Sequence, residues 1–176
     1  MNARPDIRAA GPGDLARLYD INQASTPGVG DVAADALAAL IGTSAATLVA
    51  EADGKVAGFI LCLTEGSDYR SLNYRWIAER YPRFAYCDRI AIAPEARGAG
   101  LGAALYQAAF DRFAGHRDAL LCEVNLAPPN PGSLRFHDRL GFRAVGERWS
   151  DDRAKGVVYL ERMLSPSAAE STSANR

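Results

Sequence analysis

"DRIAIAPEARGAGLGAALYQAAF", Asp88 to Phe110, is the stretch whose reading decides the fold. An apolar run ends at Pro94. Arg97 follows, then Gly98, Gly100 and Gly102 at alternate positions, then an alanine-rich stretch. The pattern predicts a strand over Phe84–Ala93 and a helix over Gly100–Ala114. Glycine loses more conformational freedom on folding than any other residue, so three of them here imply a need for bare backbone.

Three phosphate-binding patterns compete for the loop, beside the plain reading of a turn that only packs a helix on a strand. A P-loop requires lysine and then Ser or Thr, but Gly100 is followed by Leu101 and Gly102. The dinucleotide pattern G-x-G-x-x-G/A is met by Gly98 to Ala103, and Glu123 lies about 20 residues on, where a ribose-binding acid would sit. Against it, Pro94 to Arg97 separate strand from glycines, and too little chain follows for the remaining parallel strands of that fold. The third pattern is R-x-x-G-x-G/A over Arg97–Gly102. The first N–H groups of a helix lack partners and sit at the positive end of its dipole, so they suit a diphosphate. Arg97 would add a permanent cation.

Outward from the loop, "ATLVAEADGKVAGFILCLTE" reads as a hairpin, with strands Thr47–Ala50 and Val56–Leu63 about Asp53-Gly54. Asp6–Ala10 reads as a first strand, and Leu15, Leu18 and Ile21 as a helix capped by Asp14. A second helix is expected over Asp31–Ile41, ended by Gly42. Residues 65–83 break the rhythm with Tyr69, Tyr74, Trp76 and several arginines. They read either as a helix covering a sheet edge or as a substrate wall. Downstream come a strand at Ala119–Leu126, a short helix closing at Gly141, and strands Phe142–Trp149 and Gly156–Leu164. One strand–helix–strand crossover among hairpins gives an α+β class with a mixed, mostly antiparallel sheet of about six or seven strands flanked by helices. A single domain is expected over residues 1–164, with 65–83 inserted and 165–176 a disordered tail.

With 20 Lys+Arg against 21 Asp+Glu in 176 residues, nothing in the charge balance calls for nucleic acid. No apolar run reaches the length of a membrane span, and the N-terminus lacks the stretch of a signal peptide. Cys62, Cys87 and Cys122 lie in apolar runs with no CxxC pair, which implies buried thiols and a cytoplasmic setting, and no metal site.

The strand end "IAIAP", the loop "RGAGLG" and the later "NPGSLRFHDRLGF", in this element order, resemble the GNAT superfamily of acyl-CoA-dependent N-acetyltransferases. The resemblance implies the GNAT fold, with a splayed parallel pair of central strands, and acetyl-CoA as acyl donor without metal. The acceptor would be a primary amine of a small molecule or peptide. Many such proteins are dimers, which leaves a homodimer open. The diphosphate would rest on Arg97, Gly98, Ala99, Gly100, Leu101, Gly102 and Ala103. The pantetheine arm would run along Ile90, Ala91 and Ile92 and reach Asn130, which also reads as a helix N-cap.

Asp88 on the strand before the loop is the first candidate base, with an ion pair to Arg89 as its structural alternative, and Glu123 is the second. Burial would raise either carboxylate's pKa. Where related proteins carry a tyrosine as general acid, this chain has His137. Tyr86 and Tyr106 are substitutes, and a purely structural histidine is the alternative. Tyr69, Tyr74 and Trp76 are candidate acceptor contacts. A catalytically impaired acyl-CoA sensor is the competing function.

Overall fold

The protein is described here by a computed structural model covering residues 5–164. The tail expected at 165–176 lies outside these residues. The elements are β1 (Asp6–Ala9), α1 (Leu15–Gln23), α2 (Ala34–Thr43), β2 (Ala46–Ala52), β3 (Lys55–Thr64), α3 (Leu72–Ala78), β4 (Phe84–Ile92), α4 (Leu101–Phe113), β5 (Ala119–Ala127), α5 (Pro131–Arg139), β6 (Arg143–Trp149) and β7 (Gly156–Met163). The strands follow the order β1-β2-β3-β4-β5-β7-β6 in one mixed sheet. The expected α+β class and parallel central pair are both present.

The chain divides into two compact units, and β4 contributes to both. The first comprises Met1–Leu63 with Cys87–Arg112. In it β1 and β2, then β2 and β3, pair antiparallel. Asp53 and Gly54 take φ of 51° and 70°, the positive pair that a tight hairpin with right-handed strand twist requires. Leu18, Leu37, Phe59, Ile60, Leu105 and Tyr106 form its core. In α4, Leu101, Leu105, Tyr106, Ala109 and Phe110 recur at helical spacing and are all buried.

Two expected helix ends differ. The Asp14 carboxylate does not cap α1. It accepts from Gly11 N–H at 2.7 Å and from Arg8 Nη1 at 2.7 Å, closing a 3-10 turn at Pro12–Asp14. Arg8 first, then the Gly11 amide, hold this carboxyl below its usual range. Helix α2 starts at Ala34 because Asp31 is turned to Gln23, whose Nε2 donates to it at 2.9 Å. It runs through Gly42 to Thr43, and Ser44 closes it by donating from Oγ to Ile41 O at 2.8 Å.

The second unit comprises Thr64–Tyr86 with Phe113–Arg176. The parallel ladder holds three pairs, Phe84↔Ala119, Ala85↔Leu120 and Tyr86↔Leu121. Strand β7 pairs antiparallel with both β5 and β6. Ile77, Phe84, Tyr86, Leu120 and Tyr159 are fully enclosed. Helix α3 stands on residues 65–83, and Ser71 caps it by accepting from the amides of Asn73 and Tyr74.

All three cysteine thiols are buried, as their apolar runs implied. No helix among the described residues is long and apolar enough to cross a membrane.

Candidate active site

In the first unit, β4 leads through a 3-10 turn at Pro94–Ala96 to Arg97 and the glycines. Gly98 and Gly100 stand at φ of +80° and +81°, and a Cβ at either would meet no atom within 4 Å. Backbone conformation, not crowding, therefore selects glycine here, since a side-chain residue in this region is strained by about 1–2 kcal/mol. Gly100 O accepts from Ala104 N–H at 3.1 Å, which makes it the start of α4. The amides of Leu101, Gly102 and Ala103 then belong to the helix's first turn, where no intrahelical acceptor exists. Arg97, Gly98, Ala99 and Gly100 are exposed. The acid closest in sequence, Glu95, is bound by Arg17 at 2.9 Å. An exposed loop with one arginine that leads into the first-turn amides of a helix suits a diphosphate. Arg97 has a second task, because its Nε donates to Ile92 O at 3.2 Å and its Nη2 reaches Ala24 O and Ser25 Oγ at 3.5 Å.

Asp88 faces Arg89, whose Nε lies 2.9 Å from Oδ2. Both side chains are nearly enclosed, at 5% and 10% exposure. Arg89 Nη1 continues to Asn22 Oδ1 at 2.9 Å and towards Gly30 O at 3.4 Å. The pair fastens β4 to the last turn of α1 and to Gly30 beyond it, and it is the ion pair given above as the structural alternative for Asp88.

In the second unit, Glu123 of β5 stands in a side-chain cluster that sequence spacing does not reveal. Its Oε1 accepts from Tyr86 Oη and from Asn73 Nδ2, each at 3.0 Å. Asn73 Oδ1 accepts from Arg148 Nη2 at 2.9 Å and from Tyr159 Oη at 3.1 Å. Tyr159 is also the cross-strand partner of Glu123. Burial first of all pushes the Tyr159 phenol up, so it remains a neutral donor. The Trp76 ring lies flat on Tyr159, with centroids 3.9 Å apart. A Cβ at Gly146 would come within 2.5 Å of Trp76 Cζ2, so this glycine is required for the stack. The Arg80 guanidinium covers Trp76, 4.1 Å from the ring centroid.

Of the three aromatic acceptor candidates, Trp76 therefore belongs to the stack beside the Glu123 cluster. Tyr74 is buried, donating to Thr64 O at 2.7 Å and accepting from Ser67 N–H at 3.0 Å, so it is a core residue. Tyr69 is half-buried, edge-on to Tyr74. Tyr106 is buried and stacked on Phe110.

Asn130 caps α5 as its place before Pro131 suggests, with Oδ1 accepting from Ser133 N–H at 3.2 Å. His137 is 4% exposed, set edge-on against Phe136 and Phe142. Its Nδ1 lies 2.8 Å from Ser133 O. A carbonyl can only accept, so the ring proton sits on Nδ1 and Nε2 is an acceptor in the neutral ring. Burial pushes the imidazole pKa down, which favours that neutral form.

Asn73, Arg148 and Tyr159 carry no motif, and their only sequence signal is a polar residue inside a strand or an aromatic insert. Among the described residues no group of His, Cys, Asp or Glu could hold a metal ion.

The mixed α+β sheet, with a strand that opens through a glycine loop onto a helix, is a fold shared with solved N-acetyltransferases. The ribosomal-protein-S18-alanine N-acetyltransferase of Escherichia coli superposes with a TM-score of 0.71 at 20% identity, over 94% of this chain and 97% of that one. The chain belongs to the acetyltransferase (GNAT) family, whose model matches residues 15–142. It is similar to an N-acetyltransferase of Streptomyces griseus, 37% identical over 57% of this chain and 56% of the relative. It is also similar to the L-2,4-diaminobutyric acid acetyltransferase of Nocardia farcinica, 29% identical over 64% of this chain and 49% of the relative. The match thus spans about half the length of these curated relatives.

Proposed function

We propose that the chain is an acetyl-CoA-dependent N-acetyltransferase that passes the acyl group directly to a primary amine of a small molecule or peptide. The observation that carries the reading is the exposed loop at the start of α4, where two positive-φ glycines present first-turn amides beside Arg97. Those amides and Arg97 would hold the diphosphate. The backbone of Ile90, Ala91 and Ile92 would pair with the pantetheine amides as an added strand does. Bound acetyl-CoA supplies an activated acyl carbon, whose C–S bond breaks as the N–C bond to the amine forms.

An alkylammonium must lose a proton before it can attack. Glu123 is assigned this task in preference to Asp88, because Asp88 is engaged by Arg89 whereas Glu123 gathers polar groups from separate elements. The committed Nδ1 proton of His137 gives that residue a structural role in α5. The acceptor of the Nocardia relative, a diamino acid by its name, suggests an amine on a small amino acid.

The test is thiol release from acetyl-CoA by the purified chain with L-2,4-diaminobutyrate, other amino acids, polyamines and alanine-initiated peptides. Turnover with one of these, and a Glu123→Gln variant slowed by about a hundredfold or more at unchanged CoA affinity, is the expected result. CoA binding without turnover across the panel would instead favour the sensor reading, and full activity in Glu123→Gln would remove Glu123 from the chemistry.

A further inference from the structure

The amide of Asn73 lies between two groups of opposite demand. On one side Arg148 presents Nη2 at 2.9 Å and Nε at 3.3 Å, and Tyr159 presents its hydroxyl at 3.1 Å. The arginine atoms are donors without acceptor capacity, so only an oxygen can face them. The amide oxygen is therefore fixed on that side, and the NH2 group must point the other way, to Glu123 Oε1 at 3.0 Å. The flipped amide would set donor against donor at Arg148 and acceptor against carboxylate at Glu123.

The backbone that carries Asn73 is held as firmly. Ser71 caps the first turn of α3, Tyr74 ties the helix to Thr64 O and Ser67 N–H, and Trp76 lies on Tyr159. These anchors leave the Asn73 side chain one productive orientation.

We infer that Asn73 is the positioning residue of the acyl transfer, an amide locked by Arg148 and Tyr159 that holds Glu123 Oε1 in place. This rests on the assignment of Glu123 as base. The groups facing Glu123 include Asn73 from α3, Tyr86 from β4 and Tyr159 from β7, with Arg148 of β6 acting through the amide. Two donors on Oε1 favour a carboxylate over a carboxylic acid, while burial of the group acts the other way.

Asn73→Asp is the informative variant. Its shape is unchanged, and one oxygen still accepts from Arg148 and Tyr159. The other oxygen replaces a donor to Glu123 with a second carboxylate. The Glu123 carboxyl is followed by carbon-detected NMR titration in the whole chain, with no acceptor needed, using Glu123→Gln to assign the signal. In Asn73→Asp the midpoint should rise by about one pH unit or more, as expected for a like charge in contact. Asn73→Ala should give a smaller rise.

With an active acceptor, kcat in Asn73→Asp should fall by about tenfold or more, the acidic limb of the rate profile should move the same way, and KM for acetyl-CoA should hold. A merely structural asparagine would lower thermal stability and leave the midpoint alone in Asn73→Ala, where no charge is added, and a Glu123 midpoint unmoved in Asn73→Ala overturns the proposal. If the midpoint moves but Glu123→Gln keeps full turnover, the positioning stands and the base assignment falls.

Discussion

The glycine loop of the first unit offers backbone, with Gly98 and Gly100 at φ of +80° and +81°, whereas the Glu123 cluster of the second offers side chains from five separate elements. The loop is built within a few residues, and its unpaired first-turn amides exist in any chain that starts a helix there. The cluster joins Asn73 to Glu123, Arg148 and Tyr159 across 50, 75 and 86 positions. Main-chain geometry suits the holding of a diphosphate, while proton handling by the proposed base would need particular side chains.

The largest expected effect tests whether the acid of the first unit is structural. Arg89→Leu removes the guanidinium from a nearly enclosed ion pair, which should cost about 3 kcal/mol of stability, read from the urea midpoint. Asp88→Asn should destabilise less and slow turnover by under about tenfold, since an amide can still accept from Arg89. A hundredfold loss of kcat in Asp88→Asn with stability intact would move the chemistry to β4 and break the contrast between the regions.

Next in size is Gly100→Val. Its side chain meets open space, so the effect comes from the left-handed backbone and from bulk placed where a phosphate would approach. A strain of about 1–2 kcal/mol should weaken CoA binding roughly tenfold by calorimetry. The Glu123 titration should be unmoved. Unchanged CoA affinity would show that the loop is a packing turn.

The sequence was readable where causes are local. Asp53-Gly54 between apolar runs gave a hairpin, Asn130 before Pro131 gave a capped helix, and an arginine with alternate glycines placed the start of α4. It misled where a local signal had a rival partner. Asp14 reads as a cap for α1 but turns to Arg8, and Asp31 reads as a helix start but turns to Gln23. Gly42 reads as a stop, yet Ser44 closes the helix. The candidate site divides the same way. Glu123 could be named from its strand, but the amide, guanidinium and phenol that orient it come from distant segments and carry no spacing rule.

The smallest effect concerns how the second unit is held by such distant side chains. Tyr81 donates to Glu161 Oε2 at 2.7 Å across 80 positions, and Arg143 Nη2 reaches the other oxygen at 3.1 Å. Burial, then the hydrogen bond to Glu161, push the Tyr81 phenol up from 10.0 to about 12. A raised phenol means that the folded chain keeps a proton which the unfolded chain releases. Its contribution to stability is therefore complete below pH 10 and is lost as pH rises towards about 12. Tyr74 and Tyr159, raised chiefly by burial, share the same alkaline slope. Tyr81→Phe should cost about 1 kcal/mol at neutral pH and little at pH about 12, so that its urea midpoint converges on that of the parent as alkali is added. A constant gap between the two midpoints across that range would mean that the phenol stabilises by packing alone, and the second unit would then depend less on its side-chain hydrogen bonds than the Glu123 cluster implies.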